Sequence, residues 1–338
     1  MYAFVFDPVA DDPSVAQDAI LIADARVDGK RRFRKGSRIG PEDLTDLARI
    51  EGPIHLVKLE PGDVHEDEAG VALANAIAGQ GLEIRKPVQS RVNLNAAHKG
   101  LLRVDRDAVI ALNRLEGVSV FTLMDGVAVL PGKNVAGAKI APVAIPQPVL
   151  DEALAIAART EVVEVKPFIP RKVAVITTEG LEDAVRERFR ASVEAKIAWY
   201  GSTITGFIDL LDEPERVANA MRTAIDDGAE LILSGGGNSL DPLDPTLRAL
   251  ADMGAEMVKF GAPAHPGSMF WLAYCGEVPI FNLASCSLYS RSTVGDLVLP
   301  WIMAGERVET DDIAEIGWGG LLDKDAQFRF PPYDGERE

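Results

Sequence analysis

From residue 172 onward the apolar positions follow two alternating periods. Lys172 to Thr177 (KVAVIT) is a short β-branched run, which predicts a buried strand. Behind it Leu181, Ala184, Val185, Phe189, Val193, Ile197 and Tyr200 recur at helical spacing, and Gly201 ends the pattern. Ser202 to Ile208 then reads as a strand, Glu213 to Asp227 as a helix stopped by Gly228, and Glu230 to Ser234 (ELILS) as a buried strand running into glycines. Pro245 to Met253 predicts a helix leading to the Met257 to Phe260 stretch. Val278 to Leu283 (VPIFNL) is another strand, and Arg291 to Met303 a last helix with Pro300 near its end. Strands that alternate with helices need crossover connections, so this half is expected to be a doubly wound α/β fold with a mostly parallel sheet.

The first half has a different texture. Pro131, Pro142, Pro146, Pro148, Pro167 and Pro170 punctuate short apolar runs, as in strands and connectors, which predicts an α+β accessory region. Pro61-Gly62-Asp63-Val64-His65-Glu66-Asp67-Glu68 starts an Ala-rich helix reaching about Ala78, with Asp63 and Glu66 as a variant capping box. A metal cluster of these acids with His65 is the competing explanation. The basic run Lys30-Arg31-Arg32-Phe33-Arg34-Lys35 suits a hairpin edge with gatekeeping charges, or a local guide for an anionic ligand. From Glu306 onward ten acidic residues face four basic ones, as in a surface extension. The expected organisation is therefore 1–168 accessory, 169–307 binding domain and 308–338 acidic extension.

Composition narrows the partners. In 338 residues, 47% are hydrophobic and 26% charged, the balance of a globular chain. A net charge of −17 disfavours nucleic acid and anionic membranes, which need extended basic surface. Two cysteines, Cys275 and Cys286, are too few for a disulfide framework. Neither a signal peptide nor a membrane-length apolar segment is evident, so a cytoplasmic protein is expected.

In a parallel sheet, ligands bind beyond the carboxyl ends of the strands. Three loops there carry candidate chemistry. Ser234-Gly235-Gly236-Gly237-Asn238-Ser239 follows a buried strand and offers bare backbone N–H groups beside a helix start, which suits a phosphate. It matches neither a Walker A loop nor the dinucleotide fingerprint. Asp241 and Asp244 follow in the same loop, where carboxylates beside a phosphate could place Mg²⁺, while Asp244 before Pro245 also suits an N-cap. Thr177-Thr178-Glu179-Gly180 puts two hydroxyls and an acid where strand becomes helix, with Thr178 a possible cap. The third is Ala284-Ser285-Cys286-Ser287. Cys286 has no local base that would make it a nucleophile. His265, in the Pro263-Ala264-His265-Pro266-Gly267-Ser268 turn, suits a substrate hydrogen bond or a purely structural place, since no second His or Cys is near.

Together these loops resemble a known family. The stretch from Lys172 to about Arg307 is similar to the molybdopterin-binding domain of the molybdopterin adenylyltransferases and molybdenumtransferases such as the gephyrin E domain. There a strand enters a glycine-rich SGG loop followed by an Asp, as in Ser234-Gly235-Gly236-Gly237 with Asp241 and Asp244. Leu59 to Glu68 and Gly261 to Gly267 resemble a branch also found fused to cofactor cytidylyltransferases. The family's GDEL and LPGNP are replaced by Thr178-Glu179-Gly180-Leu181 and Leu283-Ala284-Ser285-Cys286-Ser287.

The resemblance implies a pterin ligand with a terminal phosphate and a dithiolene, free or adenylylated. Thr177, Thr178, Ser234, Gly235, Gly236, Gly237, Asn238, Ser239, Pro263, His265, Gly267, Ser268 and Ser285 would then hold molybdopterin. Asp241, Asp244 and Glu179 would be the catalytic group, the two aspartates placing Mg²⁺ for pyrophosphate cleavage while molybdate meets the dithiolene. It also implies a homodimer, with the N-terminal acids or Arg91 and Asn93 serving a partner's site. The altered motifs favour a carrier that delivers cofactor to a molybdoenzyme or a cofactor nucleotidyltransferase. An unrelated α/β protein binding another phosphorylated metabolite is the alternative outside the family.

Overall fold

The computed structural model describes all residues except 89, 179, 181, 211–212, 236–240, 242, 284–292 and 334–338, and the side chains of Arg31 and Lys324. The chain divides into two compact units, one of Met1–Ala97, Arg103–Asp125 and Pro131–Val165, the other of His98–Leu102, Gly126–Leu130 and Lys166–Glu338.

Short strands dominate the first unit. Val118–Thr122, Asn134–Ile140, Arg91–Ala96 and Leu82–Ile84 form an antiparallel sheet in that order. The period of two along Arg91–Ala96 buries Val92, Leu94 and Ala96 and turns Arg91, Asn93 and Asn95 to the opposite face. The helix Glu66–Ile77 lies on the apolar face, close enough that a Cβ on Gly70 would stand 3.8 Å from Val92 Cγ2. His65 is its N-cap, with Nδ1 accepting from Asp67 N at 3.2 Å. Asp63 instead belongs to the preceding strand, Asp63–His65, and holds the N-terminal amine at 2.7 Å. The capping box expected from Asp63 and Glu66 is thus not formed, because Glu66 is buried and paired with Lys35 at 3.2 Å. The basic run forms the second strand of a hairpin, Ala25–Val27 with Lys30–Phe33, whose turn residues Asp28 and Gly29 both have positive φ. Arg32 there pairs with Asp43 and Asp46.

The second unit has the alternating architecture. Its elements are β1 (Lys172–Thr177), α1 (Asp183–Trp199), β2 (Thr203–Asp209), α2 (Pro214–Asp226), β3 (Leu231–Gly235), α3 (Pro245–Asp252), β4 (Glu256–Phe260), β5 (Trp271–Cys275), β6 (Val278–Leu283), α4 (Val294–Met303) and α5 (Thr310–Glu315). The sheet order is β2-β1-β3-β6-β5-β4. From β2 to β6 the pairing is parallel, whereas β5 runs antiparallel to both β6 and β4. The antiparallel edge departs from strict helix–strand alternation for a local reason. Only Gly276 and Glu277 separate β5 from β6, and Gly276 takes φ +59°, so the chain reverses in a tight hairpin with no room for a crossover. At the far edge the register of β4 slips between Met257 and Lys259, and Thr310 Oγ1 donates to the Val258 carbonyl at 2.8 Å.

Strand alternation splits the core into two faces. Val173, Val175, Leu231, Leu233 and Phe281 pack with Phe189, Val193 and Ile197 of α1 and with α4. Ala174, Ile176, Ile232 and Ile280 pack with Val217 and Met221 of α2 and Leu250 of α3. The acidic tail is not a surface appendage. Val308, Ile313, Ile316, Leu322, Ala326 and Phe330 all join the first of these cores, while the acids between them face outward.

A buried ion pair crosses that core. Lys196 of α1 meets Asp296 of α4 at 2.7 Å, with both side chains almost fully buried. Asp296 also accepts from Thr293 N at 2.8 Å in a capping box and from Tyr333 Oη at 2.9 Å. The Tyr333 hydroxyl lies 3.5 Å from that of Tyr200, and its ring meets Trp199 edge-on at 5.6 Å. Burial pushes both phenols well above the ordinary tyrosine value, and for Tyr333 the Asp296 charge adds to it.

Two outcomes are expected. Lys196→Met leaves Asp296 buried without its cation and should cost about 3–5 kcal/mol in urea unfolding, far more than replacing an exposed lysine. A phenol whose folded pKa exceeds its unfolded one contributes in full below the unfolded value, near ~10, and loses that contribution as pH rises beyond it. The contribution of these phenols to the unfolding free energy should therefore be constant up to roughly pH 9.5 and fall above about pH 10, with a smaller fall in Tyr333→Phe.

Candidate functional site

The strand order 2-1-3 makes the junction of β1 and β3 a topological switch point, where successive connections leave on opposite sides of the sheet. Register brings the strand ends level. Thr177 pairs with Asp209 on one side and Gly235 on the other, and Gly235 pairs with Leu283. Leu210 N donates to Thr177 O at 2.9 Å and Thr178 N to Gly235 O at 3.1 Å, so the chain leaves both strands under restraint.

Below this edge the apolar filling gives way to a polar layer on the α2–α3 face. Ser234 and Asn282 are register partners at positions that continue the Ile232 and Ile280 side of the sheet. Both are buried, as are Thr178 and Thr246. Thr178 Oγ1 lies 3.3 Å from Thr246 Oγ1. Asn282 ties the neighbouring turn to the sheet: its Oδ1 accepts from Trp271 N at 2.8 Å and its Nδ2 donates to Met269 O at 3.0 Å. Ser234 differs from the rest. Its hydroxyl is fully buried and finds no hydrogen-bond partner among the described residues. A buried hydroxyl left in this state carries a desolvation cost of about 1–3 kcal/mol, which a ligand acceptor or donor would relieve.

On the opposite face Gly235 is confined. A Cβ there would stand 2.8 Å from Phe189 Cζ and 2.8 Å from Thr177 Cγ2. Thr177 Oγ1 donates to the Asp209 carboxylate, which also meets Arg186 Nε at 3.2 Å, while Arg186 Nη1 reaches Asp183 Oδ1 at 2.8 Å. A guanidinium is thereby held beside the strand ends, in the first turns of α1.

The two aspartates of the glycine-rich loop have local work. Asp244 is the N-cap of α3, accepting from Thr246 N at 2.8 Å, and Asp241 accepts from Leu243 N at 2.9 Å. Among the described residues no three His, Cys, Asp or Glu side chains gather around a common point. One oxygen of each aspartate is thus engaged by backbone.

His265 is exposed, and its backbone pairs with residues 320 and 322, N donating to Gly320 O at 2.8 Å and O accepting from Leu322 N at 2.8 Å. Gly267, at φ +115°, rests on the first turn of α4, where a Cβ would fall 2.7 Å from Val294 Cγ2. Pro263 and Ser268 are exposed on the same turn. The structure therefore brings Thr177, Thr178, Ser234 and Gly235 together, while Asn282, the register partner of Ser234, holds the backbone of residues 269 and 271 that follows the 263–268 turn. The His265 hydrogen bonds among the described residues are those of its backbone with Gly320 and Leu322. Glu179, Gly236, Gly237, Asn238, Ser239, Ser285 and Cys286 lie outside the described residues.

Sequence reasoning passed over Asn282, Thr246, Asp209 and Arg186. The signal for Asn282 was a single polar residue near the carboxyl end of an otherwise apolar strand, and for Thr246 a hydroxyl directly behind an Asp-Pro helix start. Asp209 and Arg186 meet only through the parallel pairing of β1 with β2.

Among solved structures, the chain is similar to the molybdopterin biosynthesis enzyme MoaB from Thermus thermophilus, at 19% identity over 40% of this chain and 98% of that one, with a TM-score of 0.30. It is also similar to the molybdopterin biosynthesis MoeA protein from Pyrococcus horikosii, at 16% identity over 72% of this chain and 79% of that one, TM-score 0.30. The molybdopterin biosynthesis Mog protein from Mycobacterium ulcerans matches at 15% identity over 43% of this chain and 100% of that one, TM-score 0.28. At such TM-scores the likeness assigns no residue and no activity. No family model matches the chain, and no curated protein matches it.

Gly235→Ala drives a methyl group into Phe189 and Thr177 and should lower stability by about 1–3 kcal/mol in urea unfolding. Combining it with Phe189→Leu, which vacates the ring edge, should recover part of that loss if the clash is its cause.

Proposed function

We propose that this protein binds molybdopterin, or its adenylylated form, at the carboxyl ends of β1 and β3 and serves molybdenum cofactor biosynthesis. The observation that carries this reading is the fully buried Ser234 hydroxyl, unpartnered among the described residues, beneath a glycine-rich strand exit. It sits in the SGGG motif that resembles the family's phosphate-holding loop. Backbone N–H groups suit the terminal phosphate of such a pterin, because they bring positive dipole without the desolvation cost of a buried cation. These features reconcile a phosphorylated ligand with a chain of net charge −17.

Within this reading, delivery is favoured over molybdate insertion. Thr178-Glu179-Gly180-Leu181 stands where the insertion enzymes carry GDEL, and Leu283-Ala284-Ser285-Cys286-Ser287 where they carry LPGNP. The partner in delivery would be a molybdoenzyme or a cofactor nucleotidyltransferase.

Calorimetry with purified molybdopterin tests the binding directly. Saturable heat is expected, and its absence for both the free and adenylylated forms overturns the proposal, leaving another phosphorylated metabolite as the ligand class. Ser234→Ala supplies the sharper check. Removing a hydroxyl that has no partner among the described residues should leave stability unchanged or raised, yet weaken molybdopterin about tenfold. An assay of molybdate incorporation should show bound but unconverted pterin; turnover would favour the insertion enzyme instead.

A further inference from the structure

The last part of the chain grips the turn that carries His265 from two sides. One grip is backbone pairing: His265 N donates to Gly320 O and Leu322 N to His265 O, each at 2.8 Å, as a parallel bridge between His265 and Leu321. Beside it, Gly317 and Gly320 press on Pro263. A Cβ on Gly320 would lie 2.3 Å from the Pro263 carbonyl oxygen, and one on Gly317 would lie 3.1 Å from Pro263 Cβ. The other grip passes through α4. Gly267 rests on Val294, the first residue of that helix, and the helix start is organised by Asp296, which accepts from Thr293 N and from Thr293 Oγ1 at 3.1 Å. Asp296 in turn receives the Tyr333 hydroxyl at 2.9 Å. Between the two grips Leu322, Ala326 and Phe330 are sunk in the core, so the segment is anchored along its length.

We infer that residues 317–333 form a clamp that sets the conformation of the Ala262–Ser268 turn, with Tyr333 and Asp296 as positioning residues, and that docking of Tyr333 is coupled to ligand binding at that turn. The coupling rests on the reading of this turn as part of the molybdopterin site; the clamp itself does not. Because Asp296 already neutralises Lys196 and caps α4, the Tyr333 hydroxyl completes its coordination instead of supplying the only contact. Losing it should loosen the turn without unfolding the unit. Linkage makes the effect mutual, since a ligand that favours the clamped turn must favour the docked tail to the same degree.

Amide hydrogen exchange in the free protein tests the clamp. In Tyr333→Phe, the amides of His265 and Leu322 should exchange about tenfold faster while those of Ile232 and Leu233 in the central strand keep wild-type rates. Unaltered exchange at His265 and Leu322, or equal acceleration at all four amides, overturns the clamp. Calorimetry with molybdopterin then tests the coupling. Tyr333→Phe should bind about tenfold more weakly, and saturating molybdopterin should slow exchange at His265 and Leu322 in the wild type. Equal affinities or unchanged exchange with ligand bound would break the link between clamp and site. A wild type that binds no molybdopterin would overturn the proposed ligand and this coupling, while the exchange result in free protein still decides the clamp.

Discussion

A carboxylate taken out of water must be matched by cations and hydrogen-bond donors, or its burial is too costly to persist. Asp296 meets this condition with groups from two distant parts of the chain, Lys196 of α1 and Tyr333, and with the Thr293 cap of its own helix. None of these can shift far without leaving charge stranded in the core. The helix on one face of the sheet, the helix entered after β6 and the C-terminal segment are therefore held to a common point. Neighbouring apolar contacts, such as Trp199 against Tyr333 and Phe168 against Tyr200, exclude the water that would weaken the pair.

The strand ends show a complementary arrangement. Lower in the sheet, Ala174, Ile232 and Ile280 present hydrocarbon to α2 and α3; one step further, level with Ile176, Ser234 and Asn282 present polar atoms on the same side. Asn282 satisfies itself on the backbone of residues 269 and 271, and the Thr178–Thr246 hydroxyls satisfy each other. Polar atoms lodged this deep usually either organise backbone or meet a ligand. Here Asn282 does the first, and the Ser234 hydroxyl is positioned for the second. Glycine at 235 is a steric requirement on the other face, where Phe189 and Thr177 leave no volume for a side chain.

Much of the second unit was legible in the apolar pattern. Lys172–Thr177 and Val278–Leu283 have the bounds expected from their β-branched and apolar runs, and α1 buries Phe189, Val193 and Ile197 as its spacing requires. Trp271–Cys275 escaped notice because WLAYC is a short apolar run without period, and its pairing depends on a two-residue reversal. The tail misled because its net acidity hides six apolar side chains that insert one at a time. His65 displaced Asp63 as a helix cap because the N-terminal amine, far away in sequence, claims the Asp63 carboxylate. At the site the hydroxyls and glycine of the strand exits were readable as local motifs. Arg186 with Asp209, and the backbone pairing of His265, arise only when separate segments are brought side by side.

The slipped register of β4 has a consequence for assembly. An outermost strand normally offers a regular row of unpaired amides and carbonyls to which a strand from another molecule can add. Here the ladder is interrupted at Val258, whose carbonyl is taken by Thr310, while Glu256 is engaged by Arg307 at 2.8 Å and Lys259 adds charge to the rim. On this side the sheet thus ends in an edge that is poorly suited to growth by strand addition.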